Sequence, residues 1–210
     1  DVIIICLPSP VFKNKKPNLK IIKSSLKQMS KFLKKGQLIS LESTVSPGTT
    51  NDVFVKSLSK KYRLSENFFL VYSPERENPV IKNLGQRYNF YNTPKICSGY
   101  STRCSKLGFV LYSKVIKKVV KSKSIQSAEM SKMVENVYRA TNIGLVNELK
   151  MLCHKMNIDI HEVLKLARTK PFGFTPFKPG PGIGGHCIPV DPYYLINEAK
   201  RQNFNLKFIK

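Results

Sequence analysis

Short apolar runs alternate with amphipathic stretches over the first half of the chain. The runs at residues 2–7, 37–41 and 68–72 are rich in Val, Ile, Leu and Phe and end in polar or proline-containing turns, which is typical of strands in a parallel sheet. Between them, apolar residues recur at helical spacing over 19–33, and a second helix is predicted over 51–61. Strands that alternate with helices predict an α/β fold with right-handed crossovers.

The first apolar run has a further consequence for how the sheet begins. Residues 2–7 contain only apolar side chains, so we expect this strand to be buried on both faces and to have a neighbour on each side. The chain is therefore expected to start in the middle of a fold.

The pattern changes to helix without strands after residue 121. A helix is predicted over 105–113, a short strand over 117–120, and a loop over 83–93. A long helix is predicted over 124–156 and another over 159–168. The residues predicted to share one face of the long helix are Met130, Met133, Val134, Val137 and Ala140. We therefore predict two domains, residues 1–122 and residues 123–210.

Charge is the most unusual feature of the composition. Lys and Arg number 36 against 13 Asp and Glu, so the net charge is +23. A hydrophobic content of 41% excludes a wholly disordered basic tail. Nine Lys and no acid lie between Val2 and Leu41. Because Lys exceeds Arg and is spread over whole predicted faces, solvated surfaces are favoured over a nucleic-acid patch, and we expect no nucleic-acid partner.

Cysteine usage and hydropathy indicate the compartment. The five Cys are odd in number and widely spaced, which is typical of a reducing environment and not of a disulfide framework. No apolar run approaches the roughly 18 residues of a membrane span, and no signal peptide is visible at the start. We predict a cytoplasmic protein without a membrane partner.

Three strand ends carry small polar or proline-containing turns, namely Pro8-Ser9-Pro10, Glu42-Ser43-Thr44 and Ser73-Pro74-Glu75. In open α/β sheets, ligands bind beyond the carboxyl ends of the strands. One such turn is ordinary loop chemistry, but three in the same topological position indicate a ligand site.

The segment Lys170–Tyr194 carries the strongest chemical signal. It holds six of the 13 Pro, five of the 11 Gly and five aromatic residues in 25 positions. Flexible linkers lack such aromatic anchors, so this composition favours backbone held tightly against a ligand. Cys187 follows two glycines and precedes a carboxylate at Asp191, which is compatible with an exposed nucleophile.

Other chemistry in the second half is less specific. Lys132 and Asn136 lie four residues apart on one helical face, a pair that alone is also typical of solvated surface. Cys153-His154 and His186-Cys187 could supply zinc ligands, but adjacent residues rarely ligate one ion and no C-x₂-C spacing exists, so no metal is expected. A cysteine protease is disfavoured because adjacent side chains such as His186 and Cys187 usually point apart.

Together these motifs resemble the UDP-glucose/GDP-mannose dehydrogenase family, in its branch acting on UDP-N-acetylhexosamines. The resemblance covers nearly the whole chain and is most specific from Lys170 through Gly184-Gly185-His186-Cys187 to Pro192. It implies part of a Rossmann-like parallel sheet followed by an all-helical central dimerisation domain. It also implies NAD as cofactor and a UDP sugar as substrate, UDP-N-acetylglucosamine being favoured.

The resemblance implies oxidation of a sugar CH₂OH to a carboxylate by two NAD. Cys187 would form a thiohemiacetal and then a thioester, which water hydrolyses. Lys132 would stabilise the oxyanion as a buried cation beside Asn136, and Asp191 would position water or act as a base. Thr44 and Glu75 would handle water in the hydrolytic step. Implied cofactor contacts are Ser9, Pro10, Thr44 and Glu75; implied substrate contacts are Lys178, Pro179, Gly180, Gly184 and Gly185.

Departures from the family pattern lead to competing hypotheses. The family begins with a strand and a G-x-G-x-x-G turn that seats the NAD pyrophosphate, and ends with a second α/β domain; this chain resembles the part between them. Asn78-Pro79-Val80-Ile81 stands where the family has Asp-Pro-Gly-Asn. We therefore expect the isolated chain to bind NAD poorly. It is either an internal piece of an active dehydrogenase or an inactive remnant that at most dimerises through the helix at 124–156; a basic nucleic-acid-binding module is the weaker alternative.

Overall fold

The computed structural model describes residues 1–77, 89–185 and 187–209. One five-stranded sheet has the order β1-β2-β3-β4-β5. The first three strands are parallel, β4 runs antiparallel to β3, and β5 runs parallel to β4. The strands are β1 (Val2–Ile5), β2 (Leu38–Leu41), β3 (Phe69–Tyr72), β4 (Lys95–Gly99) and β5 (Val119–Lys121).

Helices pack on both faces of this sheet and continue beyond it. A π-helical segment, Thr50–Val55, leads directly into the short α2. The α-helices are α1 (Lys20–Met29), α2 (Lys56–Leu58), α3 (Thr102–Ser113), α4 (Ile125–Lys155), α5 (Ile160–Ala167) and α6 (Asp191–Arg201). The α/β class and the all-helical second half are confirmed. Both ends of the long helix α4 lie within one residue of the predicted bounds.

The sheet separates two apolar clusters. On one face, Ile22 and Leu26 of α1 and Phe54 pack on the middle strands. On the other face, α3 packs through Cys104 and Tyr112. The backbone of α3 lies directly on the sheet at Gly108, where an added Cβ would meet the Cys97 sulfur at 2.7 Å. This position therefore admits only glycine without a shift of the helix.

The prediction that the first strand is buried on both faces was wrong. Val2 and Ile4 are 42% and 49% exposed, whereas Ile5 is buried. In the described residues β1 pairs with β2 alone. The apolar side chains of alternate residues therefore face solvent on one side of the strand.

The sheet is parallel through β1, β2 and β3, as predicted, but it also contains an antiparallel strand. The antiparallel β4 was not predicted, and β5 begins at Val119, two residues later than expected. A parallel connection needs a crossover of a dozen or more residues, usually helical, and residues 73–77 and 89–94 contain no helix. Most of the loop predicted over 83–93 lies outside the described residues.

Local capping explains where the helices begin. The Ser101 side chain accepts a hydrogen bond from the Cys104 N–H, so α3 starts at Thr102 and not at 105 as predicted. The Ser124 side chain caps α4 in the same way through the Ser127 N–H. The long helix ends before Asn157, whose φ of 55° is left-handed, and Asp159 caps α5.

The face predicted for α4 divides into two. Met133, Val137 and Ala140 are buried, whereas Met130 and Val134 are 38% and 53% exposed. The five residues predicted to share one face therefore divide between the core and the surface. The helix presents one apolar stripe to the core and a second one to solvent.

Candidate functional site

The carboxyl ends of β1, β2 and β3 lie side by side, because these strands are parallel and in register. Ser43 joins the first two ends: its hydroxyl accepts the Leu7 N–H at 2.8 Å and donates to the Ile5 carbonyl at 3.3 Å. The next residue, Thr44, is half-buried. The three predicted strand-end turns therefore form one edge.

The turn after β1 is attached to the last helix. The Tyr194 hydroxyl of α6 lies 3.0 Å from the Ser9 carbonyl oxygen and 3.2 Å from that of Pro10. Ser9 and Pro10 are half-buried, and Tyr194 is fully buried. The helix that begins at Asp191 thus reaches the candidate cofactor edge of the sheet.

A buried hydrogen-bonded row joins α4 to the start of α6. Asn136 donates through its side-chain amide to the Asp191 carboxylate, and Arg139 donates to the Asn136 amide oxygen. Asn136 is 1% exposed and Asp191 is 3% exposed. The row fixes the orientation of the Asn136 amide, because its oxygen faces a guanidinium and its nitrogen faces a carboxylate.

Lys132 lies one helical turn before Asn136 and points to the end of β3. Its ammonium donates to the Glu75 carbonyl oxygen at 2.5 Å. Burial lowers the pKa of Lys132 below its ordinary value, while Glu135, Asp191 and Cys187 act in the opposite direction. The ammonium is therefore half-buried among anionic groups, and it lies within electrostatic range of the Cys187 sulfur.

Cys187 lies in the turn before α6, four residues ahead of Asp191, and is exposed. Its carbonyl oxygen accepts the N–H groups of Val190 and Asp191, both at 3.0 Å. This turn brings the thiol and the Asp191 carboxylate to the same end of the helix. The preceding His186 lies outside the described residues.

The glycine- and proline-rich segment is attached to α4. Asn147 accepts the Gly180 N–H at 2.8 Å and donates to the Gly182 carbonyl at 3.3 Å. Phe177 packs edge-on against Tyr138 with 5.7 Å between ring centroids. Lys178 is exposed between these two attachments, and Pro179 and Gly180 are half-buried.

The end of the segment turns on two glycines. Gly184 and Gly185 have φ values of 67° and 79°, a conformation that only glycine adopts readily. Both are exposed, and no heavy atom lies within 4 Å of a Cβ added at either residue. Both glycines therefore lie at an open surface shortly before Cys187 in the sequence.

Sequence reasoning missed a buried ionic cluster below the strand ends. Lys95, the first residue of β4, is 4% exposed, and its ammonium lies 3.0 Å from carboxylate oxygens of both Glu42 and Glu75. The other Glu42 oxygen accepts a hydrogen bond from the Tyr112 hydroxyl. No pattern in the sequence signals this cluster, because its members come from four separate elements.

Glu75 is the exposed member of that cluster. Its second oxygen accepts the N–H groups of Arg76 and Glu77, both at 2.7 Å. Burial acts to raise the pKa of Glu75, but Lys95 and these backbone donors outweigh it and hold the pKa below its ordinary value. Glu75 is therefore a fixed anion at neutral pH.

A second missed carboxylate lies on α4. Glu129 is fully buried and accepts the N–H groups of Gly48 and Thr50 and the Thr50 hydroxyl, at 2.5, 2.8 and 2.7 Å. It binds the free N–H groups at the start of the helical segment after β2. No sequence signal near residue 50 identifies Glu129 as the partner of these N–H groups, because Glu129 lies about 80 residues away in the sequence.

In the part of the chain that the structure describes, no group of three or more His, Cys, Asp or Glu side chains is arranged to hold a metal ion. The five cysteines are free. None of the helices found in those residues has the length and apolar character needed to cross a bilayer.

Family models match almost the whole chain. The NAD binding domain of the UDP-glucose/GDP-mannose dehydrogenase family matches residues 1–116, and the central domain of that family matches residues 126–210. The chain belongs to the UDP-glucose/GDP-mannose dehydrogenase family. The resemblance found from the motifs is thereby confirmed.

Individual relatives agree with this assignment. The chain is 39% identical to UDP-N-acetyl-D-glucosamine 6-dehydrogenase of Pseudomonas aeruginosa, over 100% of this chain and 49% of the relative. It is 38% identical to the Salmonella typhi enzyme of that name, over 94% and 46%. The chain thus spans about half the length of the curated relatives it matches.

Solved structures of this family share the fold. The UDP-D-ManNAc dehydrogenase of Pyrococcus horikoshii superposes with a TM-score of 0.86 at 31% identity, over 100% of this chain and 48% of that one. The UDP-N-acetyl-mannosamine dehydrogenase Cap5O of Staphylococcus aureus gives a TM-score of 0.81 at 32% identity, over 100% and 49%. The Rossmann-like sheet and the helical central domain are confirmed by these likenesses.

Proposed function

We propose that this chain carries the catalytic centre of an NAD-dependent nucleotide-sugar 6-dehydrogenase that oxidises the C6 hydroxymethyl of a UDP-N-acetylhexosamine, with UDP-N-acetylglucosamine as the favoured substrate. The observation that carries the proposal is the meeting of four groups, two from α4 and two from the start of α6 and the turn before it. Asn136 and Asp191 are buried and hydrogen-bonded, Lys132 lies on the same helix as Asn136, and Cys187 lies in the turn before α6.

Cys187 is the proposed nucleophile. Its sulfur adds to the C6 aldehyde carbon to give a thiohemiacetal, whose oxygen carries the negative charge until it is protonated. Loss of hydride from C6 converts this adduct to a thioester. Water then adds to the thioester carbonyl, the C–S bond breaks, and the products are a carboxylate and the free thiol.

Lys132 and Asn136 stabilise the oxyanion in this scheme. The Lys132 ammonium supplies positive charge in a half-buried site, where electrostatic interactions are stronger than in water. Asp191 orients the attacking water or accepts its proton. Thr44 and Glu75, at the ends of β2 and β3, complete the water site, and the fixed charge of Glu75 suits it to orient water.

NAD fits the edge formed by the strand ends. Ser9 and Pro10 lie at the end of β1, and Thr44 and Glu75 lie beyond the two neighbouring strands, where α/β sheets bind nucleotides. When bound, NAD supplies the hydride acceptor for both oxidations. The contact of the Tyr194 hydroxyl with the Ser9 and Pro10 carbonyl oxygens, called the Tyr194 clasp below, holds this backbone at a fixed distance from α6.

The segment before Cys187 is proposed to hold the nucleotide-sugar diphosphate. Lys178 offers an exposed ammonium, and the backbone of Pro179, Gly180, Gly184 and Gly185 lines the path toward Cys187. Two contacts to α4, through Asn147 and Phe177, keep this segment in place. The high positive charge of the surface would attract the diphosphate.

A homodimer through α4 is part of the proposal. The second stripe of this helix is exposed and apolar along most of its 31 residues. Such a stripe on a soluble helix indicates a protein interface, and a second copy presents a matching stripe by two-fold symmetry. Its members are Met130, Val134, Tyr138, Leu145, Leu149, Leu152 and Met156.

The catalytic proposal is tested by substituting the thiol. Cys187→Ser should lower NADH formation from UDP-N-acetylglucosamine and NAD by about a thousandfold or more, because the covalent route is lost. Cys153→Ser, on α4, is the matched control and should leave the rate unchanged. The assay is run beside UDP-N-acetylmannosamine and UDP-glucose to rank the substrates.

Mass spectrometry of the same proteins gives a readout that does not depend on NAD binding. The C6 aldehyde of the UDP sugar should form its adduct with Cys187 only, which is detected as protection of this thiol, and of no other cysteine, from alkylation by iodoacetamide. Adduct formation without turnover would support the thiol chemistry and assign the missing activity to cofactor binding. Neither adduct nor turnover would contradict the proposal and favour the inactive remnant.

A further inference from the structure

One buried lysine of the molecule has no part in the catalytic scheme. Lys95 is the first residue of β4 and is 4% exposed. A buried ammonium is unfavourable unless it is paired, and this one lies 3.0 Å from each of two carboxylates, Glu42 and Glu75. The three side chains together therefore carry a net negative charge, because two anions surround one cation.

The two carboxylates differ in their surroundings. Glu42 is 7% exposed and is also bound by the buried Tyr112 hydroxyl of α3. The Glu75 side chain is 42% exposed. Lys95 and Glu42 therefore form the buried base of the cluster, and Glu75 is the member that reaches the surface of the strand-end edge.

Glu75 in turn contacts the catalytic helix. Its carbonyl oxygen accepts a hydrogen bond from the Lys132 ammonium at 2.5 Å. The next residue, Arg76, pairs with Glu135 of α4 at 2.8 Å and donates to the Pro94 carbonyl at 2.6 Å, directly before Lys95. The segment after β3 is thus held between β4 and α4, with its position fixed from both sides.

We propose that Lys95 is the positioning residue of this site: its ion pair with Glu75 fixes the segment after β3, and the Glu75 carbonyl then holds the Lys132 ammonium toward Cys187. Lys95 touches neither substrate nor cofactor in this scheme. The catalytic consequence rests on the proposed function, whereas the coupling of Lys95 to Glu75 does not.

The charged and titratable groups facing Glu75 define how it should respond to pH. They are Lys95 of β4, Glu42 after β2, Cys6 after β1, Tyr112 of α3, Lys132 of α4, and the neighbours Arg76 and Glu77. The Cys6 thiol reports on the same cluster: burial raises its pKa, and Glu42 raises it further while Lys95 lowers it. Lys95 is the cation paired directly with the Glu75 carboxylate.

The first test measures the coupling alone. In the chain labelled with ¹³C at Glu side chains, Lys95→Met should raise the pKa of Glu75 by about 1 to 3 pH units, because an opposite charge is removed. Lys95→Arg should keep it low. Lys117→Met, an exposed lysine before β5, is the matched control, and Glu75→Gln identifies the resonance.

A charge-balanced variant serves as the control for a folding defect. Lys95→Met leaves Glu42 buried without a cation, so the double variant Lys95→Met/Glu42→Gln is measured as well. It should fold and still show a higher pKa for Glu75 than the wild type. An unchanged pKa in a folded variant would overturn the proposal.

The second test measures the effect on catalysis. Lys95→Met should lower kcat by about tenfold or more, with KM for the UDP sugar changed by less than about twofold. Since Glu75 must be ionised, activity lost on the acid side should be lost at higher pH in the variant than in the wild type. Lys95→Arg should restore the wild-type pH profile.

The outcomes separate the two proposals. A raised pKa for Glu75 together with a shifted acid limb supports the positioning role. If the pKa of Glu75 is raised but the acid side of the pH–activity profile does not shift, the catalytic part of the inference is wrong. If no variant, including the wild type, turns over while the Cys187 adduct also fails to form, the proposed function has failed, and the Glu75 titration still decides the coupling.

Discussion

Individual side chains of this site are each held by partners from another element. Asn136 is the clearest example, since it lies between the Arg139 guanidinium and the Asp191 carboxylate. A lone Lys-x₃-Asn pair on a helix is typical of a solvated surface, but here the asparagine is 1% exposed. Its burial makes the amide an obligatory part of the structure, because buried polar groups must be paired.

We predict that Asn136→Ala lowers the free energy of unfolding by about 2 to 3 kcal/mol, because it leaves the buried Asp191 carboxylate without this donor. Asn142→Ala on the same helix removes only a bond to the Tyr138 carbonyl and should cost less than about 1 kcal/mol. Urea unfolding followed by circular dichroism measures both. Equal losses in the two variants would contradict the assigned role of Asn136.

At the scale of elements, α4 serves as the common support of the molecule. It binds the segment after β2 through Glu129, the segment after β3 through Lys132 and Glu135, and the glycine-rich segment through Asn147. These contacts all lie on one helix, between Glu129 and Asn147. A change in the position of α4 would therefore move all three loops at once.

Glu129 gives this support a pH dependence. Burial raises the pKa of Glu129, although its hydrogen bonds to Thr50 and Gly48 lower it. The folded state thus favours the protonated form, so this contribution to stability is complete below the ordinary carboxyl pKa and declines as pH rises through the raised value. Glutamine at this position does not titrate.

We predict that Glu129→Gln lowers the free energy of unfolding by about 1 to 3 kcal/mol near pH 5, because its amide meets the Gly48 N–H donor to donor. The difference in the free energy of unfolding between the wild type and the variant should decrease from about pH 5 to pH 8. Glu148→Gln, an exposed position on α4, is the control. A gap that widens with pH in urea titrations would show that the sign is wrong.

At the scale of the whole molecule, the two family domains meet along the sheet edge and α4. The contact includes buried charge, the Tyr194 hydroxyl and the Arg201–Asp52 ion pair at 3.4 Å. The exposed stripe of α4 includes Tyr138, which packs on Phe177 next to Lys178, so an assembly through this stripe would lie beside the glycine-rich segment.

We predict that the wild-type chain has twice its monomer mass of 23.9 kDa in solution and that Val134→Glu shifts it to the monomer, because a charge is then placed within an apolar interface. Val163→Glu on α5, also an exposed valine, should leave the mass unchanged. Light scattering after gel filtration measures this. A wild-type monomer at all concentrations would exclude the interface.

Sequence patterns predicted what depends on local periodicity. The parallel strands and the long helix followed from apolar spacing, and Cys187 and Asp191 from a specific motif. The antiparallel β4 did not, because Lys95 and Ser98 interrupt its apolar pattern and its lysine is buried by partners from other elements. Asn136, Glu129 and Lys95 share this property: their partners are distant in sequence, so only the fold reveals whether they are solvated or buried.

The Tyr194 clasp has a consequence for how the molecule folds. Its hydrogen bond to the Ser9 carbonyl joins residues 185 positions apart, and closing a loop of that length costs about 4 to 5 kcal/mol of chain entropy. The Tyr194 hydroxyl has one proton, so it donates a single hydrogen bond shared between the two carbonyl oxygens, which contributes only about 0.5 to 1.5 kcal/mol. The clasp therefore cannot initiate closure; it forms once α6 has docked on α4. Until that step the Cys187 thiol, in the turn before α6, is not held near the strand ends, so an incompletely folded chain has the proposed nucleophile without its proposed catalytic surroundings.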